Sequence, residues 1–547
     1  MATVFVPRFV SIMKYRIFYI LTIVTIVIFC SSSCKSRSAV AGIEAYNIGE
    51  YSRAEKILLR HAKTEENKYK KAEYNFYLGE CYRHMGLYTR ASNAYKQAVK
   101  NNYDNPIALL YMGDCQRQIG RLDDAAEAYE LYLRRIANDR QAKNGQLSCE
   151  LEKKSLDILM PKNQNNKAMQ DTGYQLKPVK SFNSKFSDYS PAYVGDDYEV
   201  VYFTSMRTAK RRRKMNRITG QGNSTIYVSK LNGGEEWTEP EPLPEPWSSK
   251  IDDGTPNLSS DGKTMFFTRC PYDDNAQSAT TTGEILTGNT AQAFEVSRSG
   301  GRWGEPKRII PGGDSTIMVA HPAISPDGTT LYFVSDMKGS VGGKDIWFSH
   351  RDGDGWGKPE NAGGIINTAG DEMFPYVRDN GVLYFSSNGH VGYGGLDIFV
   401  ATPTETGLVE VRNMGLPINS MGDDFGIVFQ GNKEKGLLSS NRGNNKGIDN
   451  IYSFNLPDVV LTLEGSISDA SKRIPDKAFI RIIGSDGTNS KLKPNEDGLF
   501  GLNLEKETDY IMLCGAKGYE NQRFEFSTRG KSKTEKIPVK VTLKKRD

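Results

Sequence analysis

The chain has little of what reactive chemistry draws on. Histidine is scarce: His61, His84, His321, His350 and His390 are the five in 547 residues, and they fall in unrelated stretches. The seven cysteines (Cys30, Cys34, Cys81, Cys115, Cys149, Cys270 and Cys514) contain no C-x-x-C pair, which argues against a zinc site. Cys81 and Cys115 sit at equivalent helical positions and read as small buried thiols, and nothing pairs Cys270 with Cys514. No G-x-S-x-G elbow, H-E-x-x-H pair or G-x-x-x-x-G-K-[ST] loop occurs. The expectation is a non-enzymatic chain with no catalytic, cofactor-binding or metal-binding residues and no cofactor; a degenerate hydrolase is the enzymatic alternative. Charge of one sign is also missing. The formal net charge is +5, and Arg8, Lys14 and Arg16 of that excess lie near the N-terminus, which gives no case for nucleic acid as a partner.

Long apolar runs are absent except one. Residues 17–29 (IFYILTIVTIVIF) are apolar apart from two threonines, short for a membrane span and right for the core of a signal peptide over residues 1–33. Lys14 and Arg16 supply its positive flank, and Met13 just before them is an alternative start. Ser31-Ser32-Ser33-Cys34 follows. Small residues before a cysteine resemble a bacterial lipoprotein box, with Cys34 the acylated residue; Cys30 is the poorer candidate after bulky Phe29. The other reading is a cleaved secretory leader with an ordinary thiol. A lipid at Cys34 would supply the membrane anchor. Lipoproteins sent to the cell surface in the Bacteroidetes tend to carry acids after that cysteine, whereas Lys35-Ser36-Arg37-Ser38 follows here. That departure implies the periplasmic side of the outer membrane.

Over residues 39–160 a 34-residue period relates Gly79 to Gly113, Gly86 to Gly120, Ala91 to Ala125 and Tyr95 to Tyr129. A looser copy at Gly49-Glu50-Tyr51, Ala54 and Leu58 is offset by 37 residues, which predicts a connection three residues longer. Small residues let paired helices approach, and the aromatics fill the gaps between hairpins. The pattern resembles the tetratricopeptide repeat, which implies a helical solenoid whose groove receives partner segments. Leu147–Leu159 reads as a capping helix that stops before Pro161.

A polar linker over residues 161–171 precedes a change to short alternating runs with Gly and Asp turns, the signature of strands. A unit recurs five times over residues 172–456: a polar turn with Pro, an S-x-D-G turn, an aromatic strand ending in Ser, then G-x-D-I-aromatic. Its third copy has His321-Pro322, Ser325-Pro326-Asp327-Gly328, Leu331–Ser335 and Gly343-Lys344-Asp345-Ile346-Trp347. Its fourth has Phe374-Pro375, Leu383–Ser387 and Asp397-Ile398-Phe399, and its fifth Asp424-Phe425, Leu437–Asn441 and Asp449-Asn450-Ile451. The first two carry Ser190-Pro191 with Val201–Ser205, and Thr255-Pro256 with Ser260-Asp261-Gly262. Trp237, Trp303 and Trp356, each three residues before a Pro, read as turns into outer strands. Such repetition implies a β-propeller of five blades, or six if Gln175–Phe182 pairs separately. It is similar to the TolB-like propeller repeat. Asp345, Asp397 and Asp449 read as turn-fixing residues rather than metal ligands, because each blade repeats them. The pairs Asp371-Glu372 and Asp423-Asp424 are structural on the same argument, with calcium the lesser alternative. Asp352-Gly353-Asp354-Gly355 reads as a turn. The basic loop Lys210–Lys214 faces either an anionic lipid or acidic partner, or solvent.

Residues 458–547 alternate as strands, with Val460–Gly465, Ala478–Ile483, Asp497-Gly498-Leu499-Phe500, Tyr510–Leu513 and Lys517-Gly518-Tyr519. This order looks like the carboxypeptidase regulatory-like fold, a non-catalytic seven-stranded β-sandwich. The expected fold class is therefore multidomain α plus all-β. Leader, repeats, propeller and sandwich in that order resemble a PorE-like envelope lipoprotein family of the Bacteroidetes, one member of which belongs to the type IX secretion machinery. The resemblance implies an adaptor that holds envelope proteins through its repeat groove and propeller and reaches the outer membrane through its lipid. Peptidoglycan contact would be indirect or through an OmpA-type domain supplied elsewhere, since that domain does not follow the sandwich here. A propeller-based receptor for a glycan or peptide is the alternative.

Overall fold

The computed structural model describes residues 38–159, 172–207, 217–233, 236–244, 252–270, 278–279, 285–286, 291–314, 317–403, 409–443, 447–531 and 534–546. Cys34, the leader and the basic loop Lys210–Lys214 lie outside the described residues. Residues up to Phe454, apart from 171–175, form one compact unit, and the remainder forms a second.

The first unit begins with helices α1 (residues 38–47), α2 (Tyr51–Thr64), α3 (Lys68–His84), α4 (Tyr88–Lys100), α5 (Ile107–Gln118), α6 (Leu122–Leu133) and α7 (Arg140–Leu159). Each hairpin turn has a glycine in the left-handed region, Gly49, Gly86 and Gly120, where a Cβ would be strained. The 34-residue period has a steric cause. Tyr95 lies fully buried across Gly79, where an added Cβ would stand 2.5 Å from its ring, and Tyr129 lies across Gly113 at 2.8 Å. The hydroxyl of Tyr95 donates to Glu80, and that of Tyr129 to Asp114 Oδ1 at 2.7 Å, so the polar tip is satisfied at the same place in each repeat. Cys149 on α7 repeats Cys81 and Cys115 at the same spacing, and all three thiols are buried. The capping helix thus starts at Arg140, seven residues earlier than expected, and behaves as the first helix of a fourth repeat.

The looser first spacing differs from expectation. The connection between α2 and α3 spans residues 65–67, shorter than the 101–106 connection between α4 and α5. The extra length lies in the helices themselves, 14 and 17 residues against 13 and 12. Asn67 explains the tight link: its side chain caps α3 by accepting from Tyr69 N and Lys70 N, both at 3.1 Å.

Five blades follow, each led by an inner strand: Asp188–Tyr193, Asp252–Leu258, Ala320–Ile324, Glu372–Val377 and Asp424–Phe429. The segment Gln175–Pro178 makes no sixth blade. It pairs with Asn450–Asn455 as the outer strand of blade five, so the two ends of the propeller sequence share one sheet and the ring closes. The Trp elements form the expected outer strands; Glu236–Trp237, for example, pairs back on Thr225–Asn232.

Adjacent blades are joined by a device absent from the sequence expectation. Asn419 lays its side-chain amide along a strand: Ile398 N donates to its Oδ1 at 2.7 Å and its Nδ2 donates to Ile398 O at 2.9 Å. Asn367 does the same to Ile346, and Asn183 to Ile451. The next residue, Thr368, Ser420 or Ser184, donates its backbone N–H to an acid four positions on, Glu372, Asp424 or Asp188. These acids are fully buried and are met again by hydroxyls of their own blade, such as Ser387 on Glu372 at 2.6 Å.

Asp345 and Asp397 are turn residues, as expected: each accepts the backbone N–H four residues upstream, Val341 or Tyr393, at 2.6 Å. Asp449 is not their equivalent. Ile451 takes the place of Ile346 and Ile398 against the asparagines, so Asn450 fills the aspartate position and the fifth copy is shifted by one residue.

The second unit packs a three-stranded sheet (Leu499–Leu504, Leu461–Asp469, Glu535–Leu543) on a four-stranded one (Asn489–Leu492, Phe479–Gly484, Asp509–Gly515, Gln522–Ser527). Leu463, Ile467 and Val541 from the first meet Ile480, Ile482, Met512 and Cys514 from the second in one core. Leu461–Asp469 runs parallel to Glu535–Leu543.

Candidate functional site

The inner strands place five equivalent residues around the propeller axis: Ser190, Thr255, His321, Phe374 and Gly426. All five have φ between 47° and 59°, at a bulge in each strand. The recurrent Pro seen in four copies follows this left-handed residue. Blade five has Gly426-Ile427 instead, so the equivalence with Asp424-Phe425 expected from sequence is displaced by two residues.

The axis is filled halfway along. His321 stacks on Phe374 with ring centroids 4.0 Å apart, and Phe374 meets Phe425 at 4.5 Å. Burial lowers the His321 imidazole to about 3, so it stays neutral at physiological pH. Two cavities of this unit are lined by residues other than these three rings.

The first lies between the helices and the propeller, with a volume of about 230 Å³, and Arg83, His84, Arg117, Lys344, Asp371 and Asp423 are among its walls. Around it the start of α4 and one face each of α5 and α7 are hydrogen-bonded to the propeller. Tyr88 Oη and Gln118 Nε2 donate to the two oxygens of Asp423 at 2.6 and 3.1 Å. Asn144 Nδ2 donates to Gly389 O at 2.7 Å, and Gly392 N donates to Ser148 Oγ at 3.1 Å. At the far side Arg217 pairs with buried Glu50 at 2.9 Å. The turn glycines give room for this approach: a Cβ on Gly447 would stand 2.6 Å from Met85 O, and one on Gly120 3.2 Å from Met421 Sδ. Arg117 and Glu152, 3.2 Å apart, are buried beneath it, with Asp397 of blade four acting on both. Burial raises Glu152 to about 8 and Asp397 to about 8, against the pull of Arg117.

The paired acids therefore divide their work. Glu372 and Asp424 hold the blades, whereas Asp423 faces the helices and Asp371 receives the backbone N–H of Lys344 at 2.9 Å.

The second cavity, about 300 Å³, is the open end of the axis. Tyr193, Tyr198, Tyr376 and Phe429 line it with Asp196 and Asp379, and no Lys, Arg or His does among the described residues. Sequence reasoning missed these residues because they come from three different blades. The one local signal was Tyr198, which stands where copies two and three have the Gly of S-x-D-G.

Other expected features are scattered. His61 meets Ser38, His350 meets Thr330, and His390 meets Ile366 O. Among the described residues no group of three His, Cys, Asp or Glu could hold a metal ion. Asp352–Gly355 is a turn between paired strands. Burial pushes the Cys149, Cys270 and Cys514 thiols up to about 11, 12 and 12, which leaves them protonated.

The family model of the tetratricopeptide repeat matches residues 84–141. The chain matches no curated protein. Among solved structures, the Yersinia enterocolitica type III secretion chaperone SycD, in complex with a peptide of the translocator YopD, is similar over 22% of this chain and 93% of its own, at 20% identity and a TM-score of 0.20. The putative TolB of Agrobacterium tumefaciens is similar over 52% and 98%, at 14% identity and a TM-score of 0.26. RS223 β-xylosidase is similar over 51% and 94%, at 11% identity and a TM-score of 0.32. Scores this low carry no functional argument, and the five-bladed ring rests on this chain's own strand pairing. The fold defines a class: tetratricopeptide-type helical repeats and a five-bladed β-propeller in one unit, followed by an all-β unit. Stacked helical repeats of this kind present an extended concave surface.

Proposed function

We propose that the protein is a non-enzymatic adaptor that holds other envelope proteins in place, lipid-anchored at Cys34 on the periplasmic side of the outer membrane and related to the type IX secretion machinery. The observation that carries this reading is the joint. Helical repeats and propeller are bonded into one unit through Tyr88, Gln118, Asn144 and Ser148, which suits a body that must transmit position rather than open and close around a substrate. The open end of the axis and the outer faces of the helices remain for partners. Pull-down from crosslinked envelopes tests it: reproducible recovery of membrane or secretion proteins is expected, and recovery of none would overturn it. The Cys34→Ala variant should leave the membrane fraction, and one that stays there would refute the anchor.

The second reading is a receptor that captures a glycan or peptide, favoured by the aromatic lining of the open axial end. Thermal-shift screening against oligosaccharides separates the glycan receptor from the adaptor, because only a chain that captures a glycan gains stability from one.

A further inference from the structure

The two ends of the propeller axis differ in charge and in strain. At the helical end each acid is answered: Asp423 by Tyr88, Gln118 and Asn441, and Asp371 by Lys344. At the open end Asp196 and Asp379 are exposed, and no Lys or Arg of the described residues pairs with either. An acidic, base-free mouth on a chain of net charge +5 is a local inversion of sign.

The mouth is built rather than incidental. Tyr193 and Tyr376 are fixed by their hydroxyls, which accept from Gln430 Nε2 at 3.2 Å and from Phe429 N at 3.4 Å. Buried Arg378 props the neighbouring loop from beneath. Its guanidinium lies 4.2 Å from the Phe429 ring and donates to Gly431 O, Lys433 O and Glu434. Tyr198 Oη and Asp379 Oδ2 flank Gly431, where an added Cβ would stand 2.6 and 3.3 Å from them. Tyr198 also meets Tyr193 edge to face at 5.4 Å.

Strain supplies an independent observation. Tyr198 holds φ at 58° in the hairpin of blade one. The same place in the next two blades is Gly262 at 63° and Gly328 at 73°. A bulky aromatic is a poor occupant of the left-handed region, so the tyrosine weakens a turn that glycine would satisfy. Strain of this kind is retained where the side chain is needed.

We propose that this mouth receives a Lys or Arg side chain carried on an extended segment of a partner polypeptide. Phe429 already carries the Arg378 guanidinium; the three tyrosines attract a second cation through the ring quadrupole, and two carboxylates set beside them neutralise its charge. A space of about 300 Å³ admits a side chain and its flanking backbone, not a folded domain. The inference rests on the adaptor reading only in taking the open end as the partner-facing one.

The test uses the full chain and calorimetric titration with a blocked Gly-Lys-Gly-Lys-Gly peptide, its Glu-for-Lys counterpart and chitotetraose. The lysine peptide should bind, more weakly at high salt, and the other two should not. Asp196→Asn with Asp379→Asn should weaken that binding by about tenfold or more. Tyr198→Gly should also weaken it, while its unfolding temperature stays level or rises, an outcome that a purely structural tyrosine would not give. Absence of lysine-peptide binding, equal binding by the double variant, or binding of the oligosaccharide instead would each overturn the proposal. Repeating the crosslinked pull-down with the double variant keeps the two readings apart. Partners retained by that variant sink the cation site alone, whereas no partner with either chain sinks the adaptor.

Discussion

Tyr88 at the start of helix α4 donates its hydroxyl to Asp423 of blade five across 2.6 Å, between residues 335 positions apart. Asp423 also accepts from Gln118, Asn441 and the backbone of Leu396, so one carboxylate ties two helical repeats to two blades of the propeller. Burial holds the tyrosine hydroxyl well above its ordinary pKa, and it acts only as a donor. Tyr88→Phe removes one charge-assisted bond and keeps the ring. It should cost about 1.5–3 kcal/mol in denaturant unfolding. A loss within error would show that the joint does not depend on this contact.

The asparagine links between blades predict an effect of similar size. Asn419→Leu leaves the buried N–H of Ile398 unpaired, whereas its C=O keeps the Met414 N–H at 3.0 Å. Unfolding followed by tryptophan fluorescence should show a loss of about 1–3 kcal/mol, whereas Asn380→Leu, on an exposed hairpin, should change little.

Gly113→Ala places a methyl 2.8 Å from Tyr129, which is pinned by Asp114 and cannot retreat. Overpacking of this sort costs about 1–3 kcal/mol. Helical ellipticity should melt earlier, and pairing the change with Tyr129→Leu, which removes the clashing ring, should cost less than the sum of the two single losses.

Burial raises Asp397 from its ordinary value of 3.8 to about 8. Between those values the folded chain keeps a proton that the unfolded chain has released, so stability falls as pH rises through that window. Asp397→Asn mimics the protonated acid. Its unfolding temperature should match that of the natural chain near pH 4 and exceed it increasingly up to about pH 8. Glu152 carries the same sign, so adding Glu152→Gln should flatten the remaining slope. An equal decline in all three chains would refute the assignment.

The repeat spacing was legible because it has a direct steric origin. Gly79, Gly113, Tyr95 and Tyr129 recur since a ring must lie where no Cβ can stand. The blade count was legible for the same kind of reason, through Pro after a left-handed residue and Ser at the strand ends. Alignment within a copy was less secure: Asp449 reads as the partner of Asp345 and Asp397 until hydrogen bonding shows Asn450 in that place. The asparagine links had a signal that pattern reading passed over. Asn-Ser or Asn-Thr stands five residues before an acid at Asn183, Asn367 and Asn419. A buried acid and a bonded amide look like surface residues when only their polarity is read.

By itself the sequence determined the local periods: a small residue wherever helices touch and a turn wherever a strand must reverse. Only the tertiary structure decided that Gln175–Pro178 closes blade five, that the repeats dock on one end of the propeller, and that Tyr198, Tyr376, Asp196 and Asp379 share a mouth at the other. The physical reason is distance along the chain. Periodicity records what a residue meets within one repeat, whereas a joint or an axial site is built from residues of several repeats, whose proximity depends on how many blades close the ring.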